Sequence, residues 1–383
     1  MTLRRIAPVV AVAALLWGAA PARPAGAPPE LPARLDNPAF WRLTRELSEP
    51  GGTFRSDNLA SNEAVFAALL PVLAARVAPG GVYLGVGPEQ NFSYIAAMRP
   101  RLAVILDIRR GNLRLHLFYK ALFELSEDRA GFLARLFARA PPAGAASDAT
   151  AAELLAAVER APPLDETSFT RQLEAVLAHL RFVRGFELDA TDPDGIELVA
   201  RSFRRYGPAI TWSSSTSGRT GGNRTFARLA TQRDAEGREL GFLADEVRYR
   251  SVRDLQLRNL VVPVVGDFGG PRALRAIGDY VRAHDAVVSA FYVSNVESYL
   301  RRDGKWQRFC RNVATLPYDE ASVIVRPGGT RGGSPDVRVT GVVPLTSPFS
   351  RQGGWRLVRL GPRPPAGVSS MAEQADACDE GRR

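Results

Sequence analysis

The chain of 383 residues contains little cysteine and little histidine, and each shortage excludes a class of site. Cys310 and Cys378 are the only cysteines, so a metal site built on thiolates is excluded by number. One lies in a predicted helix and the other in a polar tail, which predicts no structural disulfide. His116, His179 and His284 each fall in a helix-like segment without a paired spacing, so we expect packing or surface roles and no metal.

Lysine is also scarce, because Lys120 and Lys305 are the only two. The formal net charge of +10 therefore comes almost wholly from arginine. No stripe of basic residues alternates with aromatic residues, as a nucleic-acid groove requires. This pattern disfavours nucleic acid as a partner and leaves contact with an anionic surface open. The sequence does not define an oligomeric state.

The N-terminus has the layout of a secretory signal. Arg4 and Arg5 precede an apolar run over 6–16, and small residues with proline follow to Ala27. This predicts a signal peptide over 1–27, a Pro-rich linker over 28–35, and an exported protein, periplasmic or secreted. The apolar run is too short to span a bilayer, so no transmembrane helix is expected in the mature protein. The alternative is a mis-assigned start or a disordered extension on a cytoplasmic protein.

Apolar runs alternate with amphipathic segments over 36–326, which predicts one α/β domain with a doubly wound, mostly parallel sheet. The predicted strands are a run from Val82, then Leu102–Leu106, Leu260–Val265, Ala286–Tyr292 and Ser322–Val325. The predicted helices around them are Asn37–Leu47, Asn62–Arg76, Asn91–Met98, Asn112–Arg139, Arg272–Ala283 and Val296–Phe309.

Two further segments stand apart from this alternation. A largely helical insertion is predicted over about 141–250, between the second and third strands, with a short strand near 209–212 and a polar loop over 213–223. A Gly/Pro/Arg-rich extension over 327–383 is expected to be partly disordered and to hold one β element near Val337–Val343.

The most informative segment is VYLGVGPEQNFSYIAAMRPRLAVILDIRR, from Val82 to Arg110, which predicts a strand, a glycine turn, a helix and a second strand that ends in an acid. Gly85 and Gly87 lie where the chain leaves the strand, and Asp107 follows twenty residues later, as in folds that hold a ribose. Gln90 occupies the position of a third glycine. That departure disfavours a diphosphate-binding NAD site and favours a ligand with a ribose but no diphosphate.

Four predicted strand ends carry glycine or polar residues: Gly85-Val86-Gly87, Asp107, Gly266-Asp267 and Ser294-Asn295. Because parallel strands end at one edge of a sheet, we expect these residues to converge on one crevice that binds a small molecule. Asp107, Asp267 and Ser294-Asn295 have an alternative interpretation as helix caps. Glu63, at a predicted helix start, either reaches into the crevice or favours the helix dipole.

This order of motifs resembles the class I S-adenosylmethionine-dependent methyltransferase fold. The resemblance implies that Gly85, Gly87 and Asn91 surround the methionine part of the cofactor and that Asp107 holds its ribose. It also implies that Asp267 contacts the adenine and that Ser294 and Asn295 face the reacting centre.

The wording of several segments is similar to a narrower, largely uncharacterised bacterial family with this fold. These segments are SDNLASNE at 56–63, GVGPEQNFSYIAAMRP at 85–100, DIRRGN at 107–112, PVVGDFGGPRALRAIG at 263–278 and AFYVSNVESYL at 290–300.

Together these observations predict a methyltransferase-like protein that binds S-adenosylmethionine or a related adenosine-containing ligand, with its substrate and its turnover undefined. The alternative is an exported, non-catalytic binding or scaffold protein that retains the same sheet.

Overall fold

The computed structural model describes residues 30–63, 66–142, 144, 147–222, 224–319, 321–331, 334–341, 343–344 and 355–356. The predicted signal peptide lies outside these residues, as do part of the linker and most of the C-terminal extension. Those assignments stay predictions. Cys310 is disulfide-bonded, contrary to the expectation from the sequence, while Cys378 lies outside the described residues.

A six-stranded sheet forms the centre of the domain, in the order β3-β2-β1-β4-β5-β6. Its strands are β1 Val82–Gly85, β2 Leu102–Asp107, β3 Val261–Val265, β4 Val288–Tyr292, β5 Val323–Arg331 and β6 Ser334–Gly341. The first five are parallel and β6 is antiparallel to β5, which confirms the predicted doubly wound, mostly parallel sheet. Two short strands, β7 Val343–Pro344 and β8 Trp355–Arg356, pair separately.

Helices cover the sheet, which is why β1, β2 and β3 have largely apolar sequences and are buried along their length. The helices are α1 Asn37–Leu47, α2 Leu70–Arg76, α3 Gln90–Met98, α4 Arg110–Leu125, α5 Arg129–Leu136, α6 Ala151–Arg160, α7 Glu166–Ala178, α8 Asp192–Tyr206, α9 Ser214–Ser217, α10 Phe226–Ala230, α11 Glu246–Leu257, α12 Ala273–Ala283, α13 Val296–Arg302 and α14 Trp306–Val313. Short 3-10 turns lie at Phe66–Leu69 and Gly207–Ala209, and a π-helical turn lies at His179–Val183.

Helices α6 to α11 lie between β2 and β3 in the chain, and buried aromatic rings join α4 to α5, α8 and α11. Phe123 of α4 lies 4.6 Å from Phe132 of α5 and 5.3 Å from Tyr249 of α11, measured between ring centroids. Asp192, at the start of α8, is fully buried and accepts hydrogen bonds from Arg110 (2.6 and 2.8 Å) and Arg114 (2.9 Å). A buried carboxylate is stable only with such partners, so this contact fixes α8 to α4.

Two predicted helices are each divided in the structure. The segment 112–139 breaks after Leu125, where Asp128 caps a new helix by accepting a hydrogen bond from the Gly131 N–H at 2.7 Å. The segment 296–309 breaks at Gly304, whose φ of +67° lies in the left-handed region that glycine adopts without strain.

Two other local predictions are wrong in detail. The helix expected over 62–76 has its first described turn at Phe66, so Glu63 is not helical. The strand expected near 209–212 is a 3-10 turn followed by a single β-bridge between Thr211 and Thr225. A single bridge does not extend the sheet, so the segment around Trp212 stays outside it.

Candidate functional site

A cavity of about 400 Å³ opens at the carboxyl ends of the strands, where the strand order reverses between β1 and β4. Crevices at this switch point are where open α/β sheets bind ligands. Five of the eight residues predicted for the site line it: Gly87, Asp107, Asp267, Ser294 and Asn295. Gly85, Asn91 and Glu63 do not line it.

The rest of the lining is rich in aromatic and basic side chains. Its aromatic residues are Phe54, Trp212, Phe268, Tyr292 and Tyr299, and its basic residues are Arg55, Arg109, Arg302 and Lys305. Trp212 comes from the insertion, Phe54 and Arg55 come from the segment after α1, and Lys305 comes from the break between α13 and α14.

The two glycines after β1 have different functions. Gly87 has a φ of +77° and lines the cavity, and a Cβ there would meet no atom within 4 Å. Gly85 is packed, because a Cβ would lie 2.1 Å from Asn91 Oδ1 and 2.8 Å from the Tyr83 ring. Only Gly87 is therefore placed to contact a ligand.

Asn91 is fully buried and supports the glycine loop from below. Its side-chain amide donates to the carbonyl oxygens of Val86 (2.9 Å), Gly87 (3.1 Å) and Pro88 (2.7 Å), and its Oδ1 accepts from Tyr83 Oη at 2.7 Å. These contacts satisfy backbone acceptors that no regular element satisfies. Asn91 shapes the site without reaching it.

His116 of α4 supports the same loop. Its Nε2 lies 2.8 Å from the Gly87 carbonyl oxygen, which can only accept, so Nε2 carries the proton. Burial lowers the pKa of His116 to about 4, although the hydrogen bond to Gly87 raises it. His116 is therefore neutral at neutral pH and acts as a hydrogen-bond donor inside the core.

The start of α3 is already filled by protein groups. Both Glu89 carboxylate oxygens accept from the Ser61 N–H, at 3.1 and 3.2 Å, and Ser61 Oγ accepts from the Gln90 N–H at 3.2 Å. Burial raises the pKa of Glu89 to about 7 against these hydrogen bonds. In dinucleotide-binding folds this helix end holds the diphosphate. Here an acid and a hydroxyl occupy it, in agreement with the departure at Gln90.

Asp107 ends β2 and pairs with Arg109, two residues further along the chain. Its Oδ1 accepts from the Arg109 backbone N–H (2.9 Å) and Nε (3.0 Å), and its Oδ2 accepts from Nη2 (2.7 Å). The side chain makes no cap for α4. A carboxylate has about four acceptor positions. Three are used, which leaves one on Oδ2 for a ligand.

Asp267 follows β3 and is less enclosed. Its Oδ1 accepts from the Gly269 N–H at 2.9 Å, and its Oδ2 lies 2.5 Å from Lys305 Nζ. The N-terminus of α12 is capped by Glu49, which accepts from the backbone N–H groups of Arg272 and Ala273. Asp267 is therefore not the cap of α12, and one acceptor position on each of its oxygens stays open.

The turn after β4 joins the cavity to a buried acid. Ser294 has a φ of +48°, and its Oγ donates to Glu63 Oε1 across 231 residues of sequence. Glu63 Oε2 is buried and has no hydrogen-bond partner among the described residues. Burial raises the pKa of Glu63, although the hydrogen bond from Ser294 and the nearby Tyr292 hydroxyl lower it. Asn295 is exposed, and its side chain makes no cap for α13.

Several residues that shape the site were not predicted as functional. Arg109, the partner of Asp107, stands in the segment DIRRGN, and Ser61, the partner of Glu89, stands in SDNLASNE, so both belong to motifs to which no function was assigned at these positions. Lys305 and Trp212 carry no such signal, because they reach the cavity from a helix break and from the insertion. Only the folded chain brings Lys305 to Asp267 and places Trp212 in the lining of the same cavity.

Within the described ranges, no three His, Cys, Asp or Glu side chains come together in a way that could hold a metal ion. None of the helices in those ranges has the length and apolar character needed to cross a bilayer.

Fold and cavity together define a doubly wound α/β protein with a candidate ligand site at its switch point. The chain belongs to the family described as Domain of unknown function (DUF7790), whose model matches residues 59–190 and 209–342, more than half of the chain. A comparison with curated proteins gives no significant match.

Proposed function

We propose that the protein binds S-adenosylmethionine, or a related adenosine-containing ligand, in the cavity and transfers its methyl group to an acceptor. The observation that carries this proposal is the gathering of Gly87, Asp107, Asp267, Ser294 and Asn295, from four strand ends, around one cavity of about 400 Å³. Volumes of this order suit small-molecule ligands.

The chemistry of the cavity suits a ligand with a ribose and no diphosphate. The start of α3 is filled, so a diphosphate has no place there. Asp107 Oδ2 has one open acceptor position for a ribose hydroxyl, and Asp267 has acceptor positions for the adenine amine. Gly87 leaves open space for the methionine part.

The residues present would act mainly by positioning. The bound ligand supplies an activated methyl group, and the protein holds an acceptor in line with it, which can provide much of the acceleration. Ser294 and Asn295 face the acceptor side. Glu63 acts through Ser294, while Gly85 and Asn91 hold the loop without contacting the ligand.

Titration calorimetry with S-adenosylmethionine and its demethylated product, S-adenosylhomocysteine, tests the proposal. We expect the wild-type protein to bind both, and Asp107→Asn to weaken both by about tenfold, because one charge-assisted hydrogen bond is weakened. Asp279→Asn is the matched control, since Asp279 lies on α12, is 74% exposed and does not line the cavity. Absence of heat at high ligand concentration would reject the proposal.

One observation favours a second candidate, an exported, non-catalytic binding or scaffold protein. The cavity carboxylates are both paired within the chain, Asp107 with Arg109 and Asp267 with Lys305. Such pairs keep a site stable without a ligand. This candidate predicts cleavage near residue 27 and no adenosyl ligand after purification. Mass spectrometry of the mature N-terminus and of the co-purifying small molecules distinguishes the two.

A further inference from the structure

The turn after β4 places Ser294 at the cavity, and the proton of its hydroxyl group is already used in a hydrogen bond. Ser294 lines the cavity, and its Oγ donates its single proton to Glu63 Oε1. A serine hydroxyl has one donor and two acceptor lone pairs. While Glu63 is ionised, Ser294 can therefore only accept a hydrogen bond from a molecule in the cavity.

The backbone conformation of Ser294 is energetically unfavourable. A φ of +48° is unfavourable for a serine, and such outliers collect at functional sites. The neighbouring Asn295 spends no side-chain hydrogen bond on capping α13. The turn is therefore not explained by helix capping.

The same cavity has an aromatic wall. Phe54 and Tyr299 meet edge to face with ring centroids 5.0 Å apart, and Trp212 lines the cavity from the insertion. All three are half-buried, so their rings have unused apolar surface. Arg302 and Arg55 lie over Tyr299, at 4.9 and 5.8 Å from its centroid, and fix its orientation. Rings arranged in this way favour a flat, aromatic guest.

We propose that the methyl acceptor is an aromatic compound with a hydroxyl group, which donates its hydrogen bond to Ser294 Oγ, and that Ser294 passes the proton on to Glu63. This rests on the proposed function for the methyl donor. The acceptor oxygen bonds to the methyl carbon as the carbon–sulfur bond breaks, and that electron pair stays on sulfur. The acceptor's proton moves to Ser294 Oγ while the serine proton moves to Glu63, which becomes a neutral acid.

The surroundings of Glu63 suit a proton acceptor. Ser294 and Tyr292 of β4, Gln90 and Tyr94 of α3, Tyr83 of β1 and Arg224 face it from the packed elements. The serine proton passes along its hydrogen bond to Oε1. Oε2 has no hydrogen-bond partner among the described residues, so no second donor on that oxygen stabilises the ionised form. Burial raises the pKa of the Glu63 carboxyl, which makes it a stronger base than an exposed glutamate.

The test compares phenol with anisole, which keeps the ring but has a methyl group in place of the hydroxyl proton. Ligand-observed NMR titrations measure both affinities with and without saturating S-adenosylhomocysteine. We expect the wild-type protein to prefer phenol by about tenfold, the worth of one hydrogen bond to a charge-coupled acceptor. Ser294→Gly removes the hydroxyl and tolerates the φ, so it should bind phenol and anisole equally. Circular dichroism checks that each variant folds.

Ser147→Ala is the matched control, because Ser147 lies between α5 and α6, is exposed and does not line the cavity. It should keep the full preference for phenol. Equal affinities in the wild-type protein, or a preference that survives Ser294→Gly, would overturn the inference. If S-adenosylhomocysteine does not bind while the preference for phenol is present, the proposed methyl donor is rejected and the aromatic hydroxyl site stands. If S-adenosylhomocysteine binds and the preference for phenol is absent, only the proposed acceptor is rejected.

A pH series tests the positioning residue Glu63 separately from a structural role. Because its pKa is raised, the carboxylate is present above that pKa and is lost as the pH falls through it. The preference for phenol should therefore decrease on acidification in the wild-type protein. Glu63→Gln should show a small preference that does not change with pH. A wild-type preference that is constant across the series would contradict the proton relay.

Discussion

The loop after β1 and the turn after β4 border the same cavity, and they differ in how their polar groups are satisfied. In the β1 loop, Asn91 and His116 bind the carbonyl oxygens, and Ser61 fills the start of α3. In the β4 turn, Ser294 depends on one acid from a distant segment, and Asn295 stays exposed.

This difference indicates that the β1 loop gives the cavity its shape and that the β4 turn has polar groups left for a ligand. Groups that are fully hydrogen-bonded inside the core give a site its shape, and removing one leaves buried partners unsatisfied. Groups with open donor or acceptor positions can respond to a ligand. We therefore expect substitutions in the β1 loop to change stability first and substitutions in the β4 turn to change binding first.

The largest effect is expected for Asn91→Ala. The change leaves the Val86 carbonyl oxygen and the Tyr83 hydroxyl without their Asn91 partner, while Gly87 keeps its bond from His116 and Pro88 keeps the backbone N–H of residue 91. Two buried groups without partners should lower the free energy of unfolding by about 4 kcal/mol. Urea unfolding followed by circular dichroism measures this loss. A loss below about 1 kcal/mol would show that the loop does not depend on Asn91.

His116 should make the protein sensitive to acid. Its pKa is about 4 in the folded protein against 6.5 for the free side chain, so the unfolded state takes up its proton first. Stability from this group is full above about pH 6.5 and falls by roughly 3 kcal/mol as the pH approaches 4. His116→Gln keeps a donor for Gly87 and should remove this slope. Parallel slopes in the two proteins would contradict the prediction.

The two glycines should separate stability from binding. Gly85→Ala forces a methyl group against Asn91 and Tyr83 and should cost about 2 kcal/mol. Gly87→Ala meets no atom but adopts an unfavourable φ, at a cost of about 1 kcal/mol. The added methyl group lies at the cavity, so Gly87→Ala should weaken the binding of S-adenosylhomocysteine more than Gly85→Ala does. Thermal unfolding and calorimetry on both variants measure the two effects, and the opposite ranking would refute the assignment.

The smallest change in stability is expected for Asn295→Ala. The side chain is exposed and makes no cap, so the free energy of unfolding should change by less than about 0.5 kcal/mol. Asn295 lines the cavity, and loss of its side-chain amide should weaken ligand binding several-fold. A stability loss as large as that of Asn91→Ala would abolish the distinction between loop and turn.

Much of the sheet could be predicted, because strands buried on both faces must be apolar along their length, as Val261–Val265 is. The placement of Asp107 and Asp267 on one edge followed from parallel pairing. The separate functions of Gly85 and Gly87 could not be predicted, since both follow a strand and only packing against Asn91 distinguishes them.

Contacts between residues far apart in the sequence could not be predicted either. Glu63 meets Ser294 only after the sheet has formed, and periodicity assigned it to a helix start instead. The break after Leu125 depends on Asp128, whose capping signal stands inside an amphipathic pattern that continues beyond it. Local sequence patterns predict buried strands well. They predict a turn only where a residue type, such as glycine or proline, strongly favours one backbone conformation.

The insertion brings Trp212 to the cavity while Asp192 anchors α8 to α4. One of the three rings of the proposed aromatic wall, Trp212, thus comes from the insertion, whereas Asp107 and Asp267 follow strands of the sheet. A change confined to the insertion would therefore alter the cavity border at Trp212 and leave the strand ends in register.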